Sequence, residues 1–299
     1  MNDALLEFSH KLADKYHFFR SAVSRAYELF GESWETDFTR CLTSVFGDTK
    51  GSGWDEAITG YALFSLDDLR SQKFYEIHGH YQASKYEEIR STYWDNPDFM
   101  LSNYMPGMFL SYFLWPHHYR LILHYRGTVA KYLERHNPPV EAFCEVGVGT
   151  GIYSCETLRL LPNVMGIGYD ISEHSLSFCR RTMEAFGLMH RFTVEKRDIQ
   201  RDIPDQVDYV ICQEVLEHLE DPADFCRALF HIVRPGGKAF ITAAIRAAHS
   251  DHIFLYNKPG EAEKQIRDAG FRVLERVTEC AEVYNKIQPC ISSFLCERQ

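Results

Sequence analysis

The sequence has no uninterrupted apolar run near the ~20 residues that a membrane-spanning helix needs. The nearest, Met108 to Trp115, is short and lies between Pro106 and Pro116. No membrane span is expected. Basic charge is scarce too: 32 Lys and Arg face 42 Asp and Glu, for a formal net charge of −10. That balance argues against nucleic acid or an anionic membrane as a partner, since both need a basic face. Nine cysteines are present, an odd number, and no two form a C-x-x-C pair. The start, Met1-Asn2-Asp3, lacks the basic head and apolar core of a secretory leader. Together these features lead to the expectation of reduced thiols in a cytoplasmic protein.

At 299 residues the chain can hold one large domain, or one with a smaller companion. Aromatic residues are plentiful, with 21 Phe, 17 Tyr and 4 Trp. The first part shows helical spacing and no alternating strand pattern. Met1 to Leu29 carries Leu5, Leu12, Tyr16, Phe19 and Val23 near that spacing, and Gly31 should end the helix. Glu35 to Phe46, Tyr61 to Gln72 and Tyr75 to Tyr93 are predicted helices as well. Tyr104 to Arg120 is different: aromatic, punctuated by proline, and carrying the adjacent His117 and His118. Leu121 to His136 should be a linking helix, stopped by Asn137-Pro138-Pro139. Residues 1–125 are expected to form an all-α lid, and residues 126–299 a second domain.

The second part is organised around Glu141 to Gly151. Ala142 to Val146 is a short apolar run suited to a buried strand. Gly147, Gly149 and Gly151 follow at alternate positions, and Ile152 to Leu161 has helical spacing. Glycine lets the turn be tight and lets a ligand lie against the backbone. The helix start adds free N–H groups and the positive end of a dipole. The run differs from the dinucleotide pattern G-x-G-x-x-G. Glu145, just before the first glycine, accepts hydrogen bonds and would repel a phosphate. It suits an ammonium or a ribose hydroxyl.

Further strands are predicted at Asn163–Tyr169, Phe192–Lys196, Val207–Cys212, Lys238–Ala243, Phe271–Thr278 and Ile291–Cys296. Helices Ser172–Phe186, Pro222–Val233 and Lys258–Ala269 alternate with them. Asp170 ends the second strand, 19 positions past Gly151, and Asp198 follows the third. Gln213-Glu214-Val215-Leu216-Glu217-His218-Leu219 follows the fourth, and Pro235-Gly236-Gly237 precedes the fifth.

In order and spacing, these motifs resemble those of class I S-adenosylmethionine (SAM)-dependent methyltransferases. The resemblance runs from about Glu141 to Glu297, roughly half the chain. It implies an α/β fold: a seven-stranded Rossmann-like methyltransferase sheet beneath the N-terminal all-α lid. It also implies SAM as the bound donor. Glu145, Gly147, Gly149 and Gly151 would frame it. Asp170 would take both ribose hydroxyls, which a carboxylate can accept together, with Ile171 over one adenine face. Asp198 would face the adenine amino group, with Ile199 beside the ring, and Gln213 would reach the methionine half.

Helical lids ahead of this fold commonly supply an acceptor pocket. Tyr104, Phe113, Trp115 or Tyr119 is therefore expected over the sulfonium, a cation that aromatic faces attract. The loop Ala244 to Tyr256 follows strand five, at the sheet edge where such folds carry chemistry. His249 and His252, with Asp251 near to orient them, are candidate general bases, and Tyr104 joins them as a catalytic candidate. Glu214, Glu217 and His218 would fall on one helical face. That segment resembles one by which ubiquinone-pathway O-methyltransferases and small-RNA 2′-O-methyltransferases hold a divalent metal, with His249 or His252 as a further ligand. Many relatives use it only for packing and helix capping, and no metal is expected here.

The expected function is methyl transfer from SAM to an O, N or C atom of a small molecule, as in secondary metabolism. A second reading keeps SAM but attacks its aminocarboxypropyl carbon, resembling azetidine-2-carboxylate-forming enzymes that release methylthioadenosine. A third is a SAM-binding module without catalysis.

Overall fold

The computed structural model describes residues 1–48, 51–83, 85–134, 138–282 and 286–299. The amphipathic runs of the first part fold as helices α1 (Asp3–Lys15), α2 (Ala22–Phe46) and α3 (Gly53–His78). The single helix expected from Met1 to Leu29 is broken after Lys15. Tyr16 leaves helical geometry at φ −136°, although no glycine or proline marks the site. Gly31, expected as a stop, only kinks α2, at φ 67°. Gly79 ends α3 in the left-handed region, at φ 77°, inside the stretch predicted as one helix from Tyr75 to Tyr93.

The chain then narrows to α4 (Tyr86–Ile89) and α5 (Pro97–Phe99). A wide turn with i to i+5 hydrogen bonds follows each, at Arg90–Trp94 and Met100–Tyr104. Helices α6 (Met105–Leu114) and α7 (Pro116–Tyr132) complete the lid. The expected domain boundary at residue 125 falls within α7. Asn137, part of the expected helix stop, lies outside the described residues.

The second part forms β1 (Ala142–Val146), α8 (Ile152–Leu160), β2 (Met165–Asp170), α9 (Glu173–Ala185), β3 (Phe192–Lys196) and β4 (Val207–Cys212). It continues with α10 (Pro222–Ile232), β5 (Val233–Ile245), α11 (Pro259–Asp268), β6 (Phe271–Cys280) and β7 (Cys290–Arg298). The sheet order is β3-β2-β1-β4-β5-β7-β6. The first five strands of that order run parallel, and β7 inserts antiparallel between β5 and β6. This is the predicted α/β fold. Strand order reverses between β1 and β4, which opens a crevice at their carboxyl ends.

Lid and sheet share one core. Tyr125 of α7 packs its ring edge-on at 5.0 Å against both Tyr153 and Phe240. Arg126 donates to Glu156 at 2.7 Å and also pairs with Asp37 of α2. The thiols depart from expectation at one place: Cys280 and Cys290 form a disulfide. The β6–β7 register sets them opposite each other, so the pairing depends on strand alignment rather than a local motif. The other seven cysteines are free and buried. No helix among the described residues is long and apolar enough to cross a membrane.

Candidate active site

One cavity of about 810 Å³ lies between the carboxyl edge of the sheet and the lid. Its floor is the turn after β1. Gly147, Gly149 and Gly151 adopt φ of 70°, 48° and 75°, all left-handed. Gly147 must also be small, because a Cβ there would meet Val215 Cγ2 at 2.4 Å. The Gly147 and Val148 N–H groups both donate to Tyr169 O, which ties the turn to β2.

Glu145 lines the cavity, and its Oε2 accepts from Ser154 N at 2.9 Å and Ser154 Oγ at 2.5 Å. Burial pushes its carboxyl up to about 8, against the pull of those two bonds. Asp170 Oδ2 accepts from Gly149 N at 3.2 Å, and Oδ1 from Ser172 N at 2.9 Å. Burial raises its carboxyl to about 6. Asp198 Oδ1 accepts from Gln200 N at 3.1 Å. Ile171, Ile199 and Gln213 line the same space. Gln213 is buried, and neither its Oε1 nor its Nε2 has a hydrogen-bond partner. An unpaired buried amide is rare and costly, and a polar ligand group would satisfy it. Eight of the nine residues expected around the donor line the cavity at this end; Gly151, contrary to expectation, does not, and packs behind the turn against Cys179.

The lid supplies Tyr104, Trp115, His117 and His118 to the cavity. Phe113 and Tyr119 do not reach it, contrary to expectation. Phe113 stacks on Phe38, and the Tyr119 hydroxyl donates to Asp37 at 3.0 Å. Both point to the far side of their helices, because α6 and α7 must also bury a face against α2. Tyr86, Trp94, Met108 and Tyr112 also line the cavity and were not singled out from sequence. Trp94 and Met108 carry no motif; Trp94 enters from the wide turn Arg90–Trp94 and Met108 from the face of α6 turned to the cavity. Wide helical turns of this kind often occur at functional sites.

The loop after β5 brings its predicted residues together around Asp251, which is fully buried. Asp251 Oδ1 pairs with His249 Nδ1 at 2.8 Å, and Oδ2 accepts from Trp94 Nε1 at 3.2 Å. Burial would lower His249, but Asp251 outweighs it and holds the imidazole up at about 9. Tyr104 packs edge-on against His249, and burial raises its phenol well above the usual range. His252 is pushed down to about 3 by burial and by its neighbour His218. Its Nδ1 lies 2.8 Å from Ala247 O. A carbonyl only accepts, so Nδ1 carries the proton and Nε2 keeps a lone pair.

His218 is arranged in the same way, with Nδ1 at 3.0 Å from Asp251 O. Ligand atoms of Glu217, His218 and His252 lie within 4.8 Å of one another. Glu217 Oε1 is buried without a partner. Burial and the nearby Glu214 raise the Glu217 carboxyl well above its usual range. Glu214 itself sits at φ 49°, its carboxyl pushed up to about 7 by burial. Two imidazoles, each with Nδ1 against a backbone carbonyl and Nε2 left for a ligand, beside a buried carboxyl oxygen without a partner, fit a hard divalent cation.

Residues 144–239 match a family model described as a methyltransferase domain. A ubiquinone biosynthesis O-methyltransferase of Aeromonas salmonicida (strain A449) is 37% identical over 105 residues, covering 34% of this chain and 42% of that protein. The chain spans about half the length of the curated relatives it matches. An O-methyltransferase family protein from Burkholderia thailandensis has a similar fold, with a TM-score of 0.58 at 12% identity over 99% of this chain and 94% of that one. Human N-acetylserotonin methyltransferase, solved in complex with SAM, gives a TM-score of 0.55 at 14% identity over 86% of this chain and 74% of that one.

Proposed function

From a C-terminal half that is a class I SAM-dependent methyltransferase domain, we propose that the protein moves the methyl group of SAM to an O, N or C atom of a small molecule in the aromatic chamber under its lid. The observation that carries this reading is the continuity of the cavity. One space runs from the glycine turn and Asp170 to Phe64, Trp115 and His118 of the lid. Donor and acceptor would therefore share one compartment with water excluded, and alignment supplies much of the rate.

In this reading Glu145 takes the donor's ammonium, Asp170 the ribose hydroxyls and Gln213 a polar group of the methionine half. Asp198 faces the adenine edge between Ile171 and Ile199. The acceptor atom attacks the methyl carbon, the carbon–sulfur bond breaks, and S-adenosylhomocysteine leaves. A hydroxyl acceptor must also lose a proton. His252 is neutral with its Nε2 lone pair free, and it is the group we assign as base. His249 is already protonated through Asp251, so it orients rather than accepts. Tyr104, held neutral beside it, closes that wall. The net acidic charge and the apolar lid favour a metabolite over nucleic acid.

The geometry around Glu217 favours an added element. Glu217, His218 and His252 would hold a divalent cation, whose Lewis acidity toward an acceptor hydroxyl would then take the place of His252 as base, since its one free nitrogen cannot both ligate and accept a proton. Exhaustive chelation should then abolish turnover of a hydroxyl acceptor without lowering SAM affinity. Full activity after chelation removes the cation and leaves His252 alone.

Product analysis tests the main reading. Incubation with SAM and a metabolite extract should yield S-adenosylhomocysteine and a methylated product. Methylthioadenosine formed from SAM alone would replace it with attack on the aminocarboxypropyl carbon. Binding without any product would leave a SAM-binding module.

A further inference from the structure

One face of α3 forms a wall of the cavity away from the glycine turn, through Tyr61, Phe64, Ser65, Asp68 and Gln72. Asp68 is the unusual member. Burial pushes its carboxyl up to about 7, against the pull of His249. The other charged group acting on it is Asp67, which pushes the same way. His249 does not serve as its counter-ion, because it is committed to Asp251 at 2.8 Å and has Asp67 at 3.4 Å. No side chain among the described residues donates a hydrogen bond to Asp68. Ser65, three residues earlier and so adjacent on the helix, is 3% exposed, and its Oγ has no partner. Serine within a helix commonly bonds back to the preceding turn, and this one does not.

A buried hydroxyl without a partner and a half-buried carboxyl without a salt-bridge partner among the described residues therefore share one wall. The neighbouring Gln72 is already used, donating to Arg246 O at 3.1 Å and accepting from Ala248 N at 2.9 Å. An anionic ligand group would meet Asp68 and be repelled, with the nearby charge of Asp67 adding to the repulsion. A neutral hydroxyl offers one donor and no charge. An ammonium offers three donors and the missing positive charge, and the aromatic rings nearby would also attract a cation.

We propose that Asp68 and Ser65 form the recognition end of the acceptor pocket, and that the acceptor carries a protonated primary amine there on an aromatic or flat apolar body. This deepens, and rests on, the methyl-transfer reading. The amine is a handle at the wall of α3, and the methylated atom lies toward the glycine turn. Asp68 thus sets specificity and takes no part in the transfer itself.

The test uses three probes of like shape: phenethylamine, 2-phenylethanol and 3-phenylpropionate. Each is titrated calorimetrically into the full-length protein, with and without saturating S-adenosylhomocysteine. Phenethylamine should bind at least about tenfold more tightly than either analogue, the scale of a charged hydrogen bond. Asp68→Asn should remove that advantage while changing 2-phenylethanol binding less than about twofold. Asp68→Glu should restore part of it, and Ser65→Ala should lose a smaller part. Equal binding of amine and alcohol, no amine binding, or amine binding indifferent to Asp68→Asn overturns the proposal. If S-adenosylhomocysteine itself does not bind, the methyl-transfer reading fails, while the titrations without it still decide on the amine.

Discussion

His249 Nδ1 lies 2.8 Å from Asp251 Oδ1, with both side chains buried. His218 Nδ1 approaches the other carboxylate oxygen at 3.6 Å. Burial alone would raise Asp251, but His218 and His249 hold it well below the usual carboxylate range. Three histidines thus share one acid and do not share one protonation state. His249 is charged, and His252 is neutral. That division separates an orienting imidazole from one able to accept a proton.

Replacing Asp251 with Asn should be severe, because it leaves a charged or desolvated imidazole without its partner. A loss of about 3–5 kcal/mol in urea unfolding is expected. The sign with pH is also fixed. His249 is raised from 6.5 to about 9, so its contribution is complete below 6.5 and disappears as pH rises through 9. The gap between wild type and Asp251→Asn should narrow across that window. A gap that stays constant would mean that His249 is not the group responding.

The glycine turn offers a contrast. Gly147→Ala places a methyl 2.4 Å from Val215 Cγ2 at a φ of 70°, so both packing and backbone oppose it. Destabilisation of about 1–3 kcal/mol is expected. At Gly149 the nearest atom to such a methyl is Met108 Sδ at 3.7 Å, so only the left-handed φ opposes it. Gly149→Ala should lose about 1 kcal/mol, yet weaken S-adenosylhomocysteine binding, since its methyl enters ligand space. Thermal melts with and without ligand separate the two. Equal melting temperatures for the two variants would contradict this account of the turn.

How far the sequence reaches follows from these same residues. The turn, Asp170, Asp198 and Gln213 are local features, set by a strand, a bend and a helix start, so their spacing along the chain is enough to place them. The sheet is legible for the same reason, since each strand and helix alternates in one repeating unit. The lid is not. Phe113 and Trp115 are two residues apart and look alike as sequence, yet one packs on α2 and the other faces the cavity. That depends on how α6 crosses α2. The break after Lys15 and the wide turns around Trp94 carry no glycine or proline signal. The Cys280–Cys290 pairing needs the β6–β7 register, which no local pattern reveals.

Gln213 gives a prediction whose two parts have opposite signs. In the ligand-free protein its buried amide has no partner, so it contributes desolvation without compensation. Gln213→Leu keeps similar bulk and removes that burden. Stability should stay level or rise by about 1 kcal/mol. S-adenosylhomocysteine affinity should fall about tenfold, because the ligand loses its hydrogen bonds. A variant less stable than wild type, with unchanged affinity, would place Gln213 in the scaffold and remove it from the donor site.

Glu145 ties the donor to pH. Burial raises its carboxyl from 4.5 to about 8, so the folded protein binds the extra proton between those values. Ligand-free stability should therefore decline as pH rises from about 4.5 to about 8. An ammonium seated on Glu145 favours the ionised form. S-adenosylhomocysteine should then bind more tightly as pH rises from 7 toward 8, while deprotonating Glu145 in the free protein becomes easier. Asp170 titrates lower, near 6, and is largely ionised throughout that range. Glu145→Gln keeps the bond from Ser154 N but carries no charge. It should bind the ligand about tenfold more weakly near pH 8, with an affinity flat from pH 7 to 8. Calorimetric titrations at three pH values across that interval decide the matter. A wild-type affinity that falls with rising pH would show that the carboxylate does not face the ligand's amine.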